Sequence, residues 1–232
     1  MPASSDPETR TANKQPVLLG HRGARAVKSI PENTIASFDR ALADGCHGFE
    51  FDVRLSSDAV PVICHDPVCH DAKIGKLRIA NTISDELKLP ALFDVLARYQ
   101  KTAFLDIELK VNGIEKIVID LLRAHPPQCG FVVSSFLPEV LQTLHEEDAS
   151  IPLGLICETK SQLNRWRKLP VNYVIPHRRL LNKDLLAELK SAGQKIIVWT
   201  VNDTGGMQRF ARLGVDGLIS DDTTKLARRF RS

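Results

Sequence analysis

Aromatic residues are scarce in this sequence, 6% of 232 positions, with only two tryptophans and two tyrosines. That scarcity excludes a stacking platform for bases. Charge of one sign is also lacking. A formal net charge of +3, with no basic stripe interleaved with aromatics, predicts no nucleic-acid partner. The five cysteines (Cys46, Cys64, Cys69, Cys129 and Cys157) are odd in number and show no C-x-x-C spacing. They predict reduced thiols, no zinc site and a cytoplasmic protein. No apolar run approaches the roughly 18 residues of a membrane span, and the stretch up to Gln15 has no apolar signal region, so neither stable membrane insertion nor secretion is expected. Composition carries no signal for oligomeric state.

What is present fits one globular domain. Hydrophobic content of 43% and charged content of 25% provide for a sizeable core. The length is close to the roughly 250 residues of an eight-stranded α/β barrel. Residues 1–16 read as a flexible polar tail and 17–232 as the domain.

Within the domain, short β-type apolar runs alternate with segments of helical spacing. The runs are Val17–Leu19, Gly48–Val53, Val60–Cys64, Ala103–Leu109, Phe131–Ser134, Leu153–Cys157, Tyr173–Ile175, Lys195–Val201 and Gly217–Ser220. Helical spacing marks Thr34–Ala43, Ala91–Tyr99, Ile114–Ala124, Glu139–His145, Gln162–Lys168, Asp184–Ser191, Met207–Leu213 and Thr223–Phe230. This alternation implies a parallel sheet covered by helices and, with about eight units, a closed (β/α)8 TIM barrel. Val60–Cys64 follows the second run with no helix between them. It predicts a short excursion after the second barrel strand, continued by residues 65–89 without a clear helix.

The chemistry-bearing residues sit at strand ends, where barrel active sites form. In the second run Phe49, Phe51 and Val53 alternate with Glu50 and Asp52, and in the fourth Leu105, Ile107 and Leu109 alternate with Asp106, Glu108 and Lys110. Period-two alternation turns the apolar set toward the helices and the charged set into the barrel. Uncompensated acids there would cost several kcal/mol each. Spacing leaves two readings open. Glu50, Asp52 and Glu108 hold a divalent cation, or they pair with Arg22, Arg54 and Lys110. The oxygen-only ligand set fits Mg²⁺ or Ca²⁺.

His21 follows the first run and His65 the third. Two histidines can serve the two sides of a displacement, one taking and one giving a proton. Arg22 offers a planar fork for phosphate oxygens, and Lys110 a point charge beside it. Trp199 is expected as an apolar wall against a glycerol or alcohol moiety, with Ser134-Ser135-Phe136 near the pocket and His177 at the same end of the barrel. The cationic run Lys225, Arg228, Arg229 and Arg231 reads as a solvated helix end.

Gly20-His21-Arg22-Gly23, Pro31-Glu32-Asn33-Thr34, Phe49-Glu50-Phe51-Asp52, His65-Asp66, Asp106-Ile107-Glu108-Leu109-Lys110, Val198-Trp199-Thr200-Val201-Asn202 and Val215–Asp221 together resemble the glycerophosphodiester phosphodiesterase family. The resemblance implies a TIM-barrel hydrolase acting on a small-molecule phosphodiester. It implies Glu50, Asp52 and Glu108 as metal ligands, His21 and His65 as general acid and base, and Arg22 and Lys110 as phosphate binders. Lysophospholipase D-type activity and a non-catalytic phosphate-binding barrel are the alternatives. Three departures touch loops. Ala59 stands where the family carries glycine, no threonine-rich stretch is found in Pro67–Lys76, and Ser220-Asp221-Asp222 replaces a Thr-Asp-x-Pro pattern.

Overall fold

The computed structural model describes residues 15–71 and 75–231. The assigned tail therefore lies almost wholly outside the described residues. Eight parallel strands close into a barrel: β1 (Val17–His21), β2 (Gly48–Leu55), β6 (Phe104–Leu109), β7 (Phe131–Ser135), β8 (Leu153–Cys157), β9 (Tyr173–Pro176), β10 (Lys195–Val198) and β11 (Gly217–Ser220). Closure comes from β1, which pairs with β2 on one side and β11 on the other. The expected TIM barrel is thus observed.

The excursion is also there. β3 (Pro61–Ile63) runs antiparallel to β2, and β4 (Val68–Asp71) pairs with β5 (Gly75–Arg78) in a separate hairpin. A four-residue helix, α2 (Ser84–Leu87), lies in the stretch expected to lack one. Val62, Ile79 and Leu87 bury a small apolar cluster of their own beneath this segment.

Helices α1 (Ile35–Asp44), α3 (Leu92–Tyr99), α4 (Glu115–Ala124), α5 (Pro138–Glu147), α6 (Lys160–Leu163), α7 (Lys183–Ser191), α8 (Thr204–Leu213) and α9 (Thr223–Phe230) follow the barrel strands and the excursion. Their starts are written in the sequence. Thr34, Thr159, Asn182, Asp203 and Asp222 each accept an amide hydrogen from the first turn with their side chains, contacts typically contributing about 1 kcal/mol.

The core has two layers, as the alternation predicts. Outside the barrel, Phe38 of α1 stacks on Phe49 of β2 with ring centroids 4.2 Å apart, and Phe51, Leu105 and Ile107 join them fully buried. Burying each such side chain contributes roughly 1.5–3 kcal/mol. Inside, Leu19, Val132, Ile156, Tyr173, Ile175, Ile197 and Ile219 form a second apolar cluster. Among the described residues no helix is long and apolar enough to cross a membrane. None of the five cysteines is joined in a disulfide among the described residues.

Candidate active site

Strand register decides which side chains meet. In the parallel β2–β6 pair, Glu50 lies opposite Asp106 and Asp52 opposite Glu108. In β1–β2, His21 lies opposite Glu50. Neighbouring strands are about 4.8 Å apart, so inward-facing partners crowd. Oxygens of Glu50, Asp52 and Glu108 all lie within 4.8 Å of one another, and all three residues are buried. A cavity of about 250 Å³ opens above them, with His21, Arg22, His65, Lys110 and Trp199 in its lining. The two histidines, Glu50, Glu108, Arg22, Lys110 and Trp199 all border this cavity, whereas the Asp52 side chain is only 1% exposed and does not.

The β1–α1 connection is built to aim Arg22. Arg22 and Gly23 both take left-handed backbone conformations, with φ of 51° and 79°. A Cβ at position 23 would fall 2.3 Å from Ser37 Oγ, so only glycine fits there. Ser37 Oγ donates to the Arg22 carbonyl, and Asn33, itself left-handed, donates its amide to the same oxygen. The Arg22 amide then donates to Glu50 Oε2 at 2.9 Å. A left-handed arginine costs about 1 kcal/mol or more. The surrounding bonds hold that strain at the site.

Each histidine is tethered through Nδ1. His21 Nδ1 donates to Asp221 Oδ1 at 2.6 Å, which leaves Nε2 facing the acids, 3.9 Å from Glu50 Oε2. Asp221 also accepts from Asn202 and Arg25. Though burial alone would raise its pKa, these partners, His21 foremost, hold the carboxyl well below the usual range. His65 Nδ1 donates to Asp66 Oδ1 at 2.7 Å, and burial lowers the His65 pKa.

The acids are unequal. Burial tends to raise the Asp52 pKa, but Lys110 Nζ at 3.0 Å and Arg22 Nε at 3.2 Å, with the Asn33 amide at 2.8 Å, keep it low. Burial and then Asp52 push Glu50 well above the usual carboxylate range and Glu108 to about 8, although Lys110 Nζ sits 2.6 Å from Glu108 Oε1. Burial pushes Asp106 to about 7, against the hydrogen bond from Ser134 Oγ. Four buried carboxylates here face two cations, Arg22 and Lys110, so all four can ionise together only with a further positive charge among them. Glu50 Oε1 is buried with no hydrogen-bond partner among the described residues. An orphaned oxygen, acids held back from ionising for want of a further positive charge and an all-oxygen donor set fit a hard divalent cation.

One expectation needs correction. Arg54 pairs with none of the acids. The antiparallel turn onto β3 carries it past them, and its Nε donates to the His65 carbonyl at 2.8 Å. His177 follows β9 at the expected end of the barrel and packs edge-on against Trp199, ring centroids 5.3 Å apart, without bordering the cavity. Strand β10 stops at Val198, one residue before Trp199, whose Nε1 donates to the Ile175 carbonyl. Of Ser134-Ser135-Phe136, Phe136 lines the cavity and the two serines lie buried below it. Residues the sequence did not single out include Asp221, Glu32 (which binds Arg22 NH1 at 2.6 Å) and Glu158 on the cavity lining. The signals available for Asp221 are its place in the Val215–Asp221 motif and at the end of β11, beside His21.

Comparison with known proteins matches this geometry to a family. The Glycerophosphoryl diester phosphodiesterase family matches residues 21–104 and 97–225. The chain belongs to that family. It is a phosphoric diester hydrolase, a glycerophosphodiester phosphodiesterase by descent and fold. The protein YhdW of Bacillus subtilis is 31% identical over 231 residues, 88% of this chain and 93% of the relative. The glycerophosphodiester phosphodiesterase of Caldanaerobacter subterraneus is 27% identical, over 90% of this chain and 96% of the relative. Among solved structures, an Oleispira antarctica phosphodiesterase in complex with the product sn-glycerol-3-phosphate superposes with a TM-score of 0.81 at 26% identity, covering 94% of this chain and 98% of that one.

Proposed function

We propose that this family member cleaves glycerophosphodiesters to glycerol 3-phosphate and an alcohol, using a divalent cation and paired histidines. The observation that carries the reading is a single cavity in which two tethered histidines flank three converging buried carboxylates. The product bound to the Oleispira antarctica relative supports the same substrate class.

Glu50, Asp52 and Glu108 would hold the cation, Mg²⁺ or Ca²⁺. When bound, such an ion supplies charge neutralisation at the phosphate and keeps the three acids ionised. Arg22 and Lys110 bind the non-bridging oxygens and stabilise the charge that builds there. Both now lie against carboxylates, so they are already aimed at the cavity.

His65, neutral near pH 7 because burial lowers its pKa, takes through Nε2 the proton of the attacking water, or of the neighbouring glycerol hydroxyl, whose cyclic phosphate a water then opens. His21 gives a proton from Nε2 to the departing alkoxide, with Asp221 holding Nδ1–H and fixing the ring. The P–O bond to the alcohol breaks as the new P–O bond forms, and the two protons balance. Trp199 and Phe136 exclude water on the apolar side. The test is turnover of glycerophosphodiesters by the wild type, His21→Ala and His65→Ala, with chelator and with added Mg²⁺ or Ca²⁺. Activity abolished by chelation, restored by the ion and lost in both variants is expected. Near-native turnover in either variant removes that histidine from the reaction.

A further inference from the structure

The mechanism leaves two acids of the cavity unused: Asp106, buried and bonded to Ser134, and the exposed Glu158. Glu158 follows directly on β8 and borders the cavity on the same wall as Phe136, Ile156, Ile175 and Trp199. Its backbone is fixed, since the amides of Glu158 and Thr159 both donate to Gln162 Oε1 and Thr159 caps α6. Its carboxylate has no hydrogen bond or ion pair among the described residues, whereas the buried acids nearby engage Lys110, Arg22 or Ser134. This exposed carboxylate feels only the charge of His177 among the described residues, and it shares the cavity lining with two aromatic rings.

We propose that Glu158, with Trp199 and Phe136, selects substrates whose leaving alcohol carries an ammonium group. This rests on the phosphodiesterase reading above and names the substrate class within it. Aromatic faces beside a carboxylate form the usual receptor for quaternary and primary ammonium. The Phe136 ring already receives a cation here, with Lys110 Nζ 5.8 Å from its centroid. The Trp199 indole nitrogen is committed to the Ile175 carbonyl, and Phe136 and His177 pack edge-on against the ring, which together fix it at the cavity. The converse matters as much. A carboxylate without an ion-pair partner at the cavity disfavours a phosphodiester with a neutral alcohol, which carries net negative charge, and tolerates a zwitterion.

The experiment compares kcat/KM for glycerophosphocholine and glycerophosphoglycerol on the full chain with its divalent ion. The wild type prefers the choline ester. Glu158→Gln, which keeps the shape and removes the charge, lowers the preference ratio about tenfold, chiefly through KM. Glu158→Lys reverses the preference. A merely structural role would lower both substrates together and leave the ratio unchanged. An unchanged ratio in both variants, or a wild type that favours glycerophosphoglycerol, overturns the inference while leaving the phosphodiesterase reading intact. A wild type that cleaves neither ester overturns that reading, and the inference with it.

Discussion

The inner wall of the barrel is divided between two unlike surfaces. Strands β2 and β6 line it with Glu50, Asp52, Asp106 and Glu108, while β8 to β11 line it with Ile156, Ile175, Ile197 and Ile219. Both halves come from the same period-two alternation on equally buried strands. The apolar half is stable by itself, because every inward side chain gains from leaving water. The acidic half depends on partners. Lys110, Arg22, Asn33 and Ser134 compensate part of it, and Glu50 Oε1 is left over. Function therefore resides where the fold is least self-sufficient, and the apolar half provides the rigid wall opposite.

The largest expected effect breaks the comparison at the acidic rim. His21→Ala and His65→Ala each lower kcat by roughly 10² to 10⁴, with far-ultraviolet circular dichroism unchanged. On the apolar side, Ile197→Ala leaves a cavity in a fully packed cluster and costs about 2–5 kcal/mol in urea unfolding. Its counterpart Asp106→Asn removes a buried charge but keeps an oxygen to accept from Ser134, so stability changes by less than about 1 kcal/mol or rises. Equal losses in the two variants would erase the distinction between the halves.

The pH dependence sharpens it further. Glu50, Asp106 and Glu108 all hold protons more tightly when folded, Asp106 to about 7 and Glu108 to about 8. Below the unfolded carboxylate values near 4 both states are protonated and nothing is lost. As pH rises, the unfolded chain releases these protons first, so stability falls by on the order of a few kcal/mol up to about pH 8. Thermal unfolding in chelator shows this decline, and saturating divalent cation, which favours the ionised acids, flattens it.

The mouth on the excursion side gives the smallest effect. Ala59 takes a left-handed backbone conformation, φ 60°, where the resemblance predicts glycine. Ala59→Gly relieves the Cβ clash against a gain in chain entropy, for a net stabilisation of up to about 1 kcal/mol in the unfolding midpoint.

The strand-level layout was legible because it depends on nearest neighbours. Phe49, Phe51 and Val53 against Glu50 and Asp52 set the faces of β2, and Asp106, Glu108 and Lys110 repeat the pattern on β6. What joins distant segments was not legible. Asp221 meets His21 across 200 residues only because β11 closes the barrel on β1 with Gly20 opposite Ser220. Asn33 reaches Asp52 only because the chain turns left-handed at Arg22 and again at Asn33. Arg54 shares the inward face of β2, yet the antiparallel pairing with β3 takes it to the His65 carbonyl instead of the acids. Periodicity reports which face a side chain takes. It does not report which partner waits there.

The most direct measurement is a crystal of this protein grown with Mn²⁺, read by anomalous scattering. One peak coordinated jointly by Glu50, Asp52 and Glu108, beneath the imidazoles of His21 and His65, is the predicted result. Carboxylates turned apart with Lys110 still lodged between Asp52 and Glu108, and Mn²⁺ bound elsewhere or nowhere, would contradict it.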